Sequence, residues 1–386
     1  MINLGNIKIS DLRLGASQVK AVYLGSEQVW SGEEPGPVAY LLCFTAKEAN
    51  STLHLDKVGS PDAISLETST DGKTWTDYSW TGSTGDTLTL ANIGDKVYMI
   101  AKTENQTIGS SNSNYYQFKM TGKIAASGNI QTLLKADGSR TDAPAYCYYY
   151  MFYKCGSLTQ APELPATTLT EHCYFAMFYN CSSLTSAPDL PAMTLAGDCY
   201  RAMFQNCTSL TTAPALPATT LNSGCYRNMF SSCTSLTTAP VLPATTLASG
   251  CYSYMFYSCS KLSSIDVRFT AWDPTNATTN WVNGVAASGT FTCPAELPDA
   301  RGTSNIPEGW TKADIKYPVD SLKLHFDGID NGGVGSHMSS TTDWANIAPD
   351  TSADYKMVRT SGSWEDNSAV FTGLYNECFW LNTSAG

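Results

Sequence analysis

Cysteine is the residue whose number and spacing first suggest chemistry in this chain of 386 residues, which contains 13 of them. Ten form two series that recur every 26 residues, and each member of the second series follows one of the first by eight residues. The two series are Cys147, Cys173, Cys199, Cys225 and Cys251, and Cys155, Cys181, Cys207, Cys233 and Cys259. Zinc sites use closer C-x-x-C spacing. Eight residues along a helix span about 12 Å, which exceeds the roughly 7 Å that a disulfide bridges. We therefore expect the thiols to pack in a core, and we predict no metal and no other cofactor.

Paired carboxylates are the second candidate for chemistry, because glycoside hydrolysis uses two of them. Glu163 and Asp189 occupy equivalent positions in adjacent repeats, so stacking would bring them together. This pair keeps a polysaccharide depolymerase open as an alternative. Acids at a solvated strand edge are the interpretation that we favour. The chain has no GxSxG or HExxH motif, and its four histidines are scattered. We predict no catalytic residue.

The charge composition of the chain limits the kinds of partner that it is expected to bind. The chain has 23 basic and 34 acidic residues, a net charge of −11, whereas nucleic acids and anionic membranes attract basic clusters. No stretch approaches the roughly 20 apolar residues of a membrane span. We expect neither nucleic-acid binding nor membrane insertion.

The cysteines belong to a repeat of 26 residues, of which residues 199–221 are typical. With the first cysteine as position zero, Cys, Tyr, Met, Phe and Cys recur at 0, +1, +4, +5 and +8. The spacing predicts a short helix that buries these five positions on one face. Prolines at +15 and +18 predict a short extended segment instead of a helix. About five such units should stack into a solenoid that shares one core, because a single unit cannot bury its apolar face alone.

The positions opposite the predicted core face differ between copies, and we expect them to point outward. Tyrosine and arginine are enriched in binding interfaces, which makes these residues candidates for ligand binding. The candidate residues are Tyr149, Tyr150, Tyr153, Phe175, Tyr179, Arg201, Gln205, Arg227, Tyr254 and Tyr257. Contact with another subunit and an inert surface remain alternatives.

The regions beside the repeats have the patterns of β-structure. Residues 1–31 predict short strands, with one over residues 7–14, and residues 32–37 form a linker. Residues 38–130 predict an immunoglobulin-like β-sandwich. Its strands are expected at residues 40–45, 52–57, 63–69, 87–90, 96–102 and 115–121, with a hairpin at Asp71-Gly72. The solenoid and its caps would occupy residues 131–298. Residues 122–146 would form the first cap, and residues 272–293, which leave the period, would belong to the last cap.

Three segments resemble known families. The Phe152-x-x-Cys155-x-Ser157-Leu158 pattern and its copies resemble BspA-type leucine-rich repeats, over about residues 140–265. Val22-Tyr-Leu-Gly25 and Val29-Trp30 resemble the segments that open virion fibre and appendage proteins of gut (crAss-like) phages. Residues 321–331 resemble the first strand of a concanavalin-A-like jelly roll. Only about 70 residues cover this domain, so the chain is truncated or the resemblance is partial.

These resemblances imply a multidomain protein of mixed α/β and all-β class: an attachment segment, a sandwich, a solenoid and a C-terminal β region at 316–386. They imply a non-enzymatic virion fibre or appendage that adheres to host or gut glycans or proteins. Its N-terminal segment would bind other virion proteins, and it would form a homo-oligomer, either a trimer or a dimer. The start of the sequence lacks a secretory signal pattern, so we expect synthesis in the host cytoplasm and localisation on the virion. A bacterial cell-surface adhesin is the alternative.

Overall fold

The computed structural model describes residue 38, residues 40–272 and residues 276–315, together with short strands near both ends of the chain. The chain forms two compact units, residues 1–314 and residues 315–386. The described part is rich in β-structure, and its only helix is the single 3-10 turn Ile130–Leu133. None of the described helices could cross a lipid bilayer.

Strands β1 to β6 form three antiparallel hairpins near the N-terminus. They are Asn3–Leu4, Ile7–Lys8, Arg13–Leu14, Ser17–Gln18, Val22–Leu24 and Glu27–Trp30. Within residues 7–14, where a single strand is predicted, the described residues are the two short strands β2 and β3.

Ten further strands form a module of two sheets and a separate hairpin, which we call the two-sheet module. These strands, β7 to β16, are Cys43–Ala46, Ser51–Val58, Leu66–Ser69, Thr76–Tyr78, Trp80–Thr81, Thr84–Gly85, Leu88–Leu90, Lys96–Ala101, Tyr115–Thr121 and Ile124–Ser127. One sheet has the order β13-β8-β15, the other runs β10-β9-β14-β7-β16 and continues into the repeats, and β11 and β12 form the separate hairpin. Phe44 in β7 and Phe118 in β15 join the sheets, with ring centroids 4.9 Å apart. All six strands predicted in this region are present.

The Asp71-Gly72 hairpin is also confirmed. Strands β9 and β10 pair antiparallel on either side of it. The Asp71 carboxylate accepts hydrogen bonds from the backbone N–H groups of Lys73 and Thr74, both at 2.8 Å. Gly72 has a φ of 70°, a left-handed conformation that glycine adopts without steric cost.

The repeats form a stack of coils. Coils 1 to 5 have their position zero at the first-series cysteines, from Cys147 to Cys251. The remaining strands of the first unit, β17 to β22, are Asp142–Ala143, Leu158–Gln160, Thr168–Leu169, Ser264–Asp266, Thr290–Cys293 and Thr311–Asp314. In the second unit, β23 to β27 are Asp343–Ala345, Lys356–Arg359, Ser363–Glu365, Ser368–Val370 and Phe379–Asn382. The strand expected at residues 321–331 lies outside the described residues.

The helices predicted for positions 0 to +8 are wrong, because each of these segments is a series of overlapping turns. Alternate N–H groups donate to the carbonyl three residues earlier, as Tyr149 does to Tyr146. Every fourth residue, at −1, +3 and +7, has a positive φ, including Asn180, Asn206 and Asn228. A left-handed residue in the third position is typical of a type II turn. The buried pairs therefore recur with a period of four residues and not 3.6.

The turn segments hold neighbouring coils together. The N–H groups that do not close a turn donate to carbonyls of the next coil, as Tyr148 does to Cys173 and Phe152 to Met177. Five such backbone bonds cross each of the four junctions between coils 1 and 5. On the opposite side the prolines remove donors, and the contacts shrink to short bridges such as Thr238 with Ser264. The turn side therefore carries most of the hydrogen bonding of the stack.

The predicted core positions are buried. In coil 3, Cys199, Met203, Phe204 and Cys207 are 0% exposed. The phenylalanines of successive coils stack nearly parallel, from Phe152 to Phe256, with ring centroids 5.4–5.9 Å apart. The tyrosines at +1 form a second ladder at 5.4–6.0 Å.

The hydrogen bonds of the second-series thiols explain why cysteine recurs at +8. Each S–H donates to the phenylalanine carbonyl of the preceding coil, as Cys207 does to Phe178 at 3.0 Å and Cys233 to Phe204 at 3.1 Å. This bond crosses the junction inside the apolar core, where a thiol costs less to bury than a hydroxyl.

A sixth coil follows the fifth, which corrects the expectation that residues 272–293 leave the period. Tyr252 and Phe256 donate to the carbonyls of Ala277 and Trp281, which occupy positions 0 and +4 of this coil. Its left-handed residues are Asn276, Asn280 and Gly284. The sixth coil therefore keeps a left-handed residue at every fourth position, although the side chains in its core differ from those of coils 1 to 5.

The two-sheet module supplies the coil that would precede coil 1. The Phe118 ring lies 5.0 Å from Phe152 at 15°, its N–H donates to Met151, and its carbonyl accepts the Cys155 thiol at 3.1 Å. These are the contacts that a phenylalanine at +5 makes within the stack. One hydrophobic core consequently runs from Leu42 to Trp310.

Candidate binding face

Positions +2, +3 and +6 form the side of the turn segments that faces away from the core, which we call the outer face. The expectation that these positions point outward is wrong for Ala176, Ala202, Ser231 and Ser253, which are buried. The outer face holds all ten candidate binding residues. Nine of them are partly or well exposed, up to 36% for Tyr257. Tyr149 is the exception at 7%, because the rings of Tyr115, Tyr150 and Phe175 pack around it. It therefore supports the face and does not present a surface of its own.

Aromatic side chains cover the outer face over coils 1 and 2. Their rings are in continuous contact, and we call this group the aromatic cluster. It consists of Tyr115, Tyr146, Tyr149, Tyr150, Tyr153, His172, Phe175 and Tyr179. Equivalent rings of the two coils stack, with Tyr149 and Phe175 4.9 Å apart and Tyr153 and Tyr179 5.0 Å apart. Stacked faces cover one another, which leaves ring edges and hydroxyl groups for a ligand.

Three members of the cluster are absent from the candidates that the sequence supplies. Tyr115 belongs to strand β15 and contacts Tyr150 at 5.5 Å, a proximity that no repeat spacing encodes. Tyr146 and His172 stack at 4.8 Å from position −1 of adjacent coils. Their recurrence one residue before the cysteine is the signal that would have identified them.

Charged groups lie beside the cluster. The Lys154 ammonium is 5.0 Å from the Tyr153 ring centroid, and the Arg201 guanidinium is 5.4 Å from that of Phe175, both within cation–π range. Asp198 lies 3.5 Å from Arg201 and 3.6 Å from His172. The Arg201 guanidinium thus interacts with both an aromatic ring and a carboxylate.

The Tyr115 and Tyr149 phenols of the cluster are held in their neutral, hydrogen-bonding form. Burial raises the pKa of Tyr115 above its ordinary value. Burial, reinforced by Tyr150, does the same for the pKa of Tyr149. Tyrosines of this kind offer an apolar ring and a polar tip, which suits contact with sugars and with protein surfaces.

The aromatic side chains stop after coil 2 and resume in coil 5. At +6, Tyr153 and Tyr179 are followed by Gln205, Ser231 and then Tyr257. Polar side chains occupy the interval, and we call it the polar gap; it consists of Arg201, Gln205, Arg227, Asn228 and Ser231. Tyr254 and Tyr257 close it, with ring centroids 5.8 Å apart, and Tyr254 accepts a hydrogen bond from Asn280.

The candidate residues therefore fall into three groups along the stack. Tyr149, Tyr150, Tyr153, Phe175 and Tyr179 belong to the aromatic cluster. Arg201, Gln205 and Arg227 lie in the polar gap, and the tyrosine pair Tyr254 and Tyr257 lies beyond it. The face is continuous in position and changes in character from aromatic to polar to aromatic.

The thiols do not contribute to this face. The twelve described cysteines are all free and buried. Burial raises the pKa of Cys207 to about 12, so this thiol is protonated and a poor nucleophile at neutral pH. Within the described ranges, no group of three or more His, Cys, Asp or Glu residues could hold a metal ion. Comparison of the chain with protein-family models, with curated proteins and with solved structures finds no match.

Proposed function

We propose that the chain is a non-enzymatic structural protein of a gut phage virion, a fibre or appendage whose outer face adheres to glycans or proteins of the host or the gut. The aromatic cluster is the observation that carries this proposal. Six tyrosines, a phenylalanine and a histidine meet in one contiguous surface group, and tyrosine is enriched at binding interfaces.

The architecture supports a display role. Coils 1 to 5 keep the same buried residues at 0, +1, +4, +5 and +8 and differ at the positions of the outer face, which is typical of a solenoid of leucine-rich repeats that presents a binding surface. We interpret the repeats as BspA-type and the two-sheet module as an immunoglobulin-like spacer. Many copies on one particle would convert weak binding into high avidity through effective concentration.

A catalytic role has less support. Glu163 and Asp189, the pair that a depolymerase would use, are both exposed. Enzymes bind their substrates in concave sites that enclose the reacting groups, whereas these two carboxylates lie at the surface. We therefore assign these two carboxylates to the solvated edge of the coils.

Labelling of particles tests the proposed location. We expect gold-conjugated antibody against residues 146–285 to bind purified virions of the phage that encodes the chain, at regular positions that electron microscopy resolves. The N-terminal hairpins would attach the chain there, as one copy of a dimer or trimer. Label on a bacterial surface, with none on particles, would contradict the proposal and support a cell-surface adhesin.

Adhesion of purified protein tests the proposed role of the aromatic cluster. We expect the full chain to bind immobilised mucin-type glycoprotein, and the double variant Tyr153→Ala with Tyr179→Ala to weaken binding about tenfold or more, the loss typical of aromatic hot spots. Tyr40→Ala is the matched control, because Tyr40 is 42% exposed in the two-sheet module. Equal binding by the double variant and the control would exclude the cluster as the adhesive surface.

A further inference from the structure

We propose that the polar gap binds an acidic oligosaccharide that lies along the stack of coils. The inference rests on the proposed adhesive function of the outer face, and it names the ligand class and the coils that bind it. It is carried by three observations: the local charge, the unpaired guanidinium of Arg227, and the aromatic side chains at both ends of the gap.

The local charge is opposite to that of the whole chain. Residues 199–265 contain no aspartate or glutamate, and they contain three basic residues, Arg201, Arg227 and Lys261. The whole chain carries a net charge of −11. Residues 199–265 are therefore a positive segment in an acidic protein, bordered by Asp198 and Asp266, and a positive segment of this kind attracts an anionic ligand.

Arg227 is available to a ligand. Among the described residues, its guanidinium has no carboxylate within ion-pair distance and donates no hydrogen bond to another side chain, whereas Arg201 pairs with Asp198 at 3.5 Å. The Nε of Arg227 is buried without a hydrogen-bond partner. The Arg227 side chain as a whole is partly exposed, and the two terminal amino groups of a guanidinium can donate parallel hydrogen bonds to one carboxylate.

The dimensions of the gap fit a short chain of sugar rings. Tyr179 and Tyr257 occupy equivalent positions three coils apart. At about 4.8 Å per coil, this separation is roughly 15 Å, and it accommodates about three pyranose rings placed end to end. Tyr257 is exposed at one end of this interval, and Tyr179, which stacks on Tyr153, offers its ring edge and hydroxyl group at the other.

The floor of the gap favours a sugar over a peptide. Gln205 and Asn228 supply amide groups that both donate and accept hydrogen bonds, as sugar hydroxyls require. We therefore commit to an oligosaccharide with carboxylated rings, and we treat an acidic peptide as a competing result in the test.

Calorimetry with matched probes tests the proposal. We expect the full chain to bind the tetramer of galacturonic acid at low salt, and to bind the neutral tetramer of galactose at least tenfold more weakly. Arg227→Gln should weaken binding of the acidic tetramer about tenfold or more. Lys261→Gln is the matched control, because it removes the same charge from the acid-free segment outside the gap, and it should leave binding within about twofold.

Other results would overturn the assignment. Equal affinity for the acidic and neutral tetramers, equal loss in the two charge variants, or no binding of either sugar would each reject an acidic-sugar site in the gap. Equal or tighter binding of a tetraglutamate peptide would reject the sugar class. None of these results bears on the labelling of virions or on adhesion through Tyr153 and Tyr179, so failure of this site remains distinct from failure of the proposed function.

Discussion

Replacing Phe118 with alanine is expected to lower the free energy of unfolding by about 3–5 kcal/mol, the usual cost of removing a buried phenylalanine. Phe118 is 0% exposed and packs between Phe44 of the facing sheet and Phe152 of coil 1. Its backbone also accepts the Cys155 thiol. Because one side chain serves both modules, we expect the two-sheet module and the coil stack to lose stability together.

Chemical denaturation and hydrogen exchange check this prediction. The Phe118→Ala variant should unfold in one transition at lower denaturant, with faster exchange at the amides of Tyr148 and Phe152. Phe230→Ala is the control, because Phe230 is equally buried in coil 4 and stacks on both neighbours. It should cost a similar amount but accelerate exchange in coils 3 to 5 first. Two separate transitions in the Phe118→Ala variant, with coil 1 amides unaffected, would show that the module does not cap the stack.

The buried residues of the repeat could be predicted from sequence because the copies can be compared position by position. Positions that stay constant while their neighbours change are under a common packing constraint, and Met203 and Phe204 are indeed fully buried. The backbone conformation was harder to predict. Over nine residues, pairs at 0/+1 and +4/+5 fit a helical period of 3.6 as well as a turn period of four.

The residues that distinguish the two conformations are those with a left-handed backbone. Asn180, Asn206 and Asn228 recur at +7, +7 and +3, and Gly224 occupies −1 of coil 4. Asparagine and glycine tolerate positive φ best, so their period of four favours turns. The same signal, in Asn276, identifies the sixth coil, which has lost the cysteine and tyrosine that marked the others.

Contacts between segments that are distant in the sequence could not be predicted. Tyr115 joins the aromatic cluster only because strand β15 lies in the place of a preceding coil, and no local pattern encodes that placement. Tyr149 shows the converse case. Its position in the repeat predicts exposure, but its aromatic neighbours in coils 1 and 2 cover it.

The coil stack is expected to unfold cooperatively as the pH rises from about 9 to 10. Burial raises the pKa of Cys147, Cys155, Cys207 and Cys259 to about 12 each, whereas an unfolded thiol titrates near 9. Above pH 9 the unfolded chain releases protons that the folded chain retains, so stability is complete below this pH and is lost above it. Each thiol then costs about 1.4 kcal/mol per pH unit. Four such thiols would remove roughly 6 kcal/mol by pH 10, which is comparable with the 5–15 kcal/mol that stabilises a typical domain.

Circular dichroism and thiolate absorbance, followed together during an alkaline titration, check this expectation. Thiolate should appear in one step with the loss of β-structure, because the folded core keeps its thiols protonated. The Cys207→Ala variant is the sharpest comparison. It loses the bond to Phe178 and should be about 1 kcal/mol less stable at pH 7, yet its stability should fall less steeply above pH 9. Gradual thiolate formation in protein that retains its β-structure would show that the two cysteine series are accessible to solvent, and the packing role that we assign to them would be wrong.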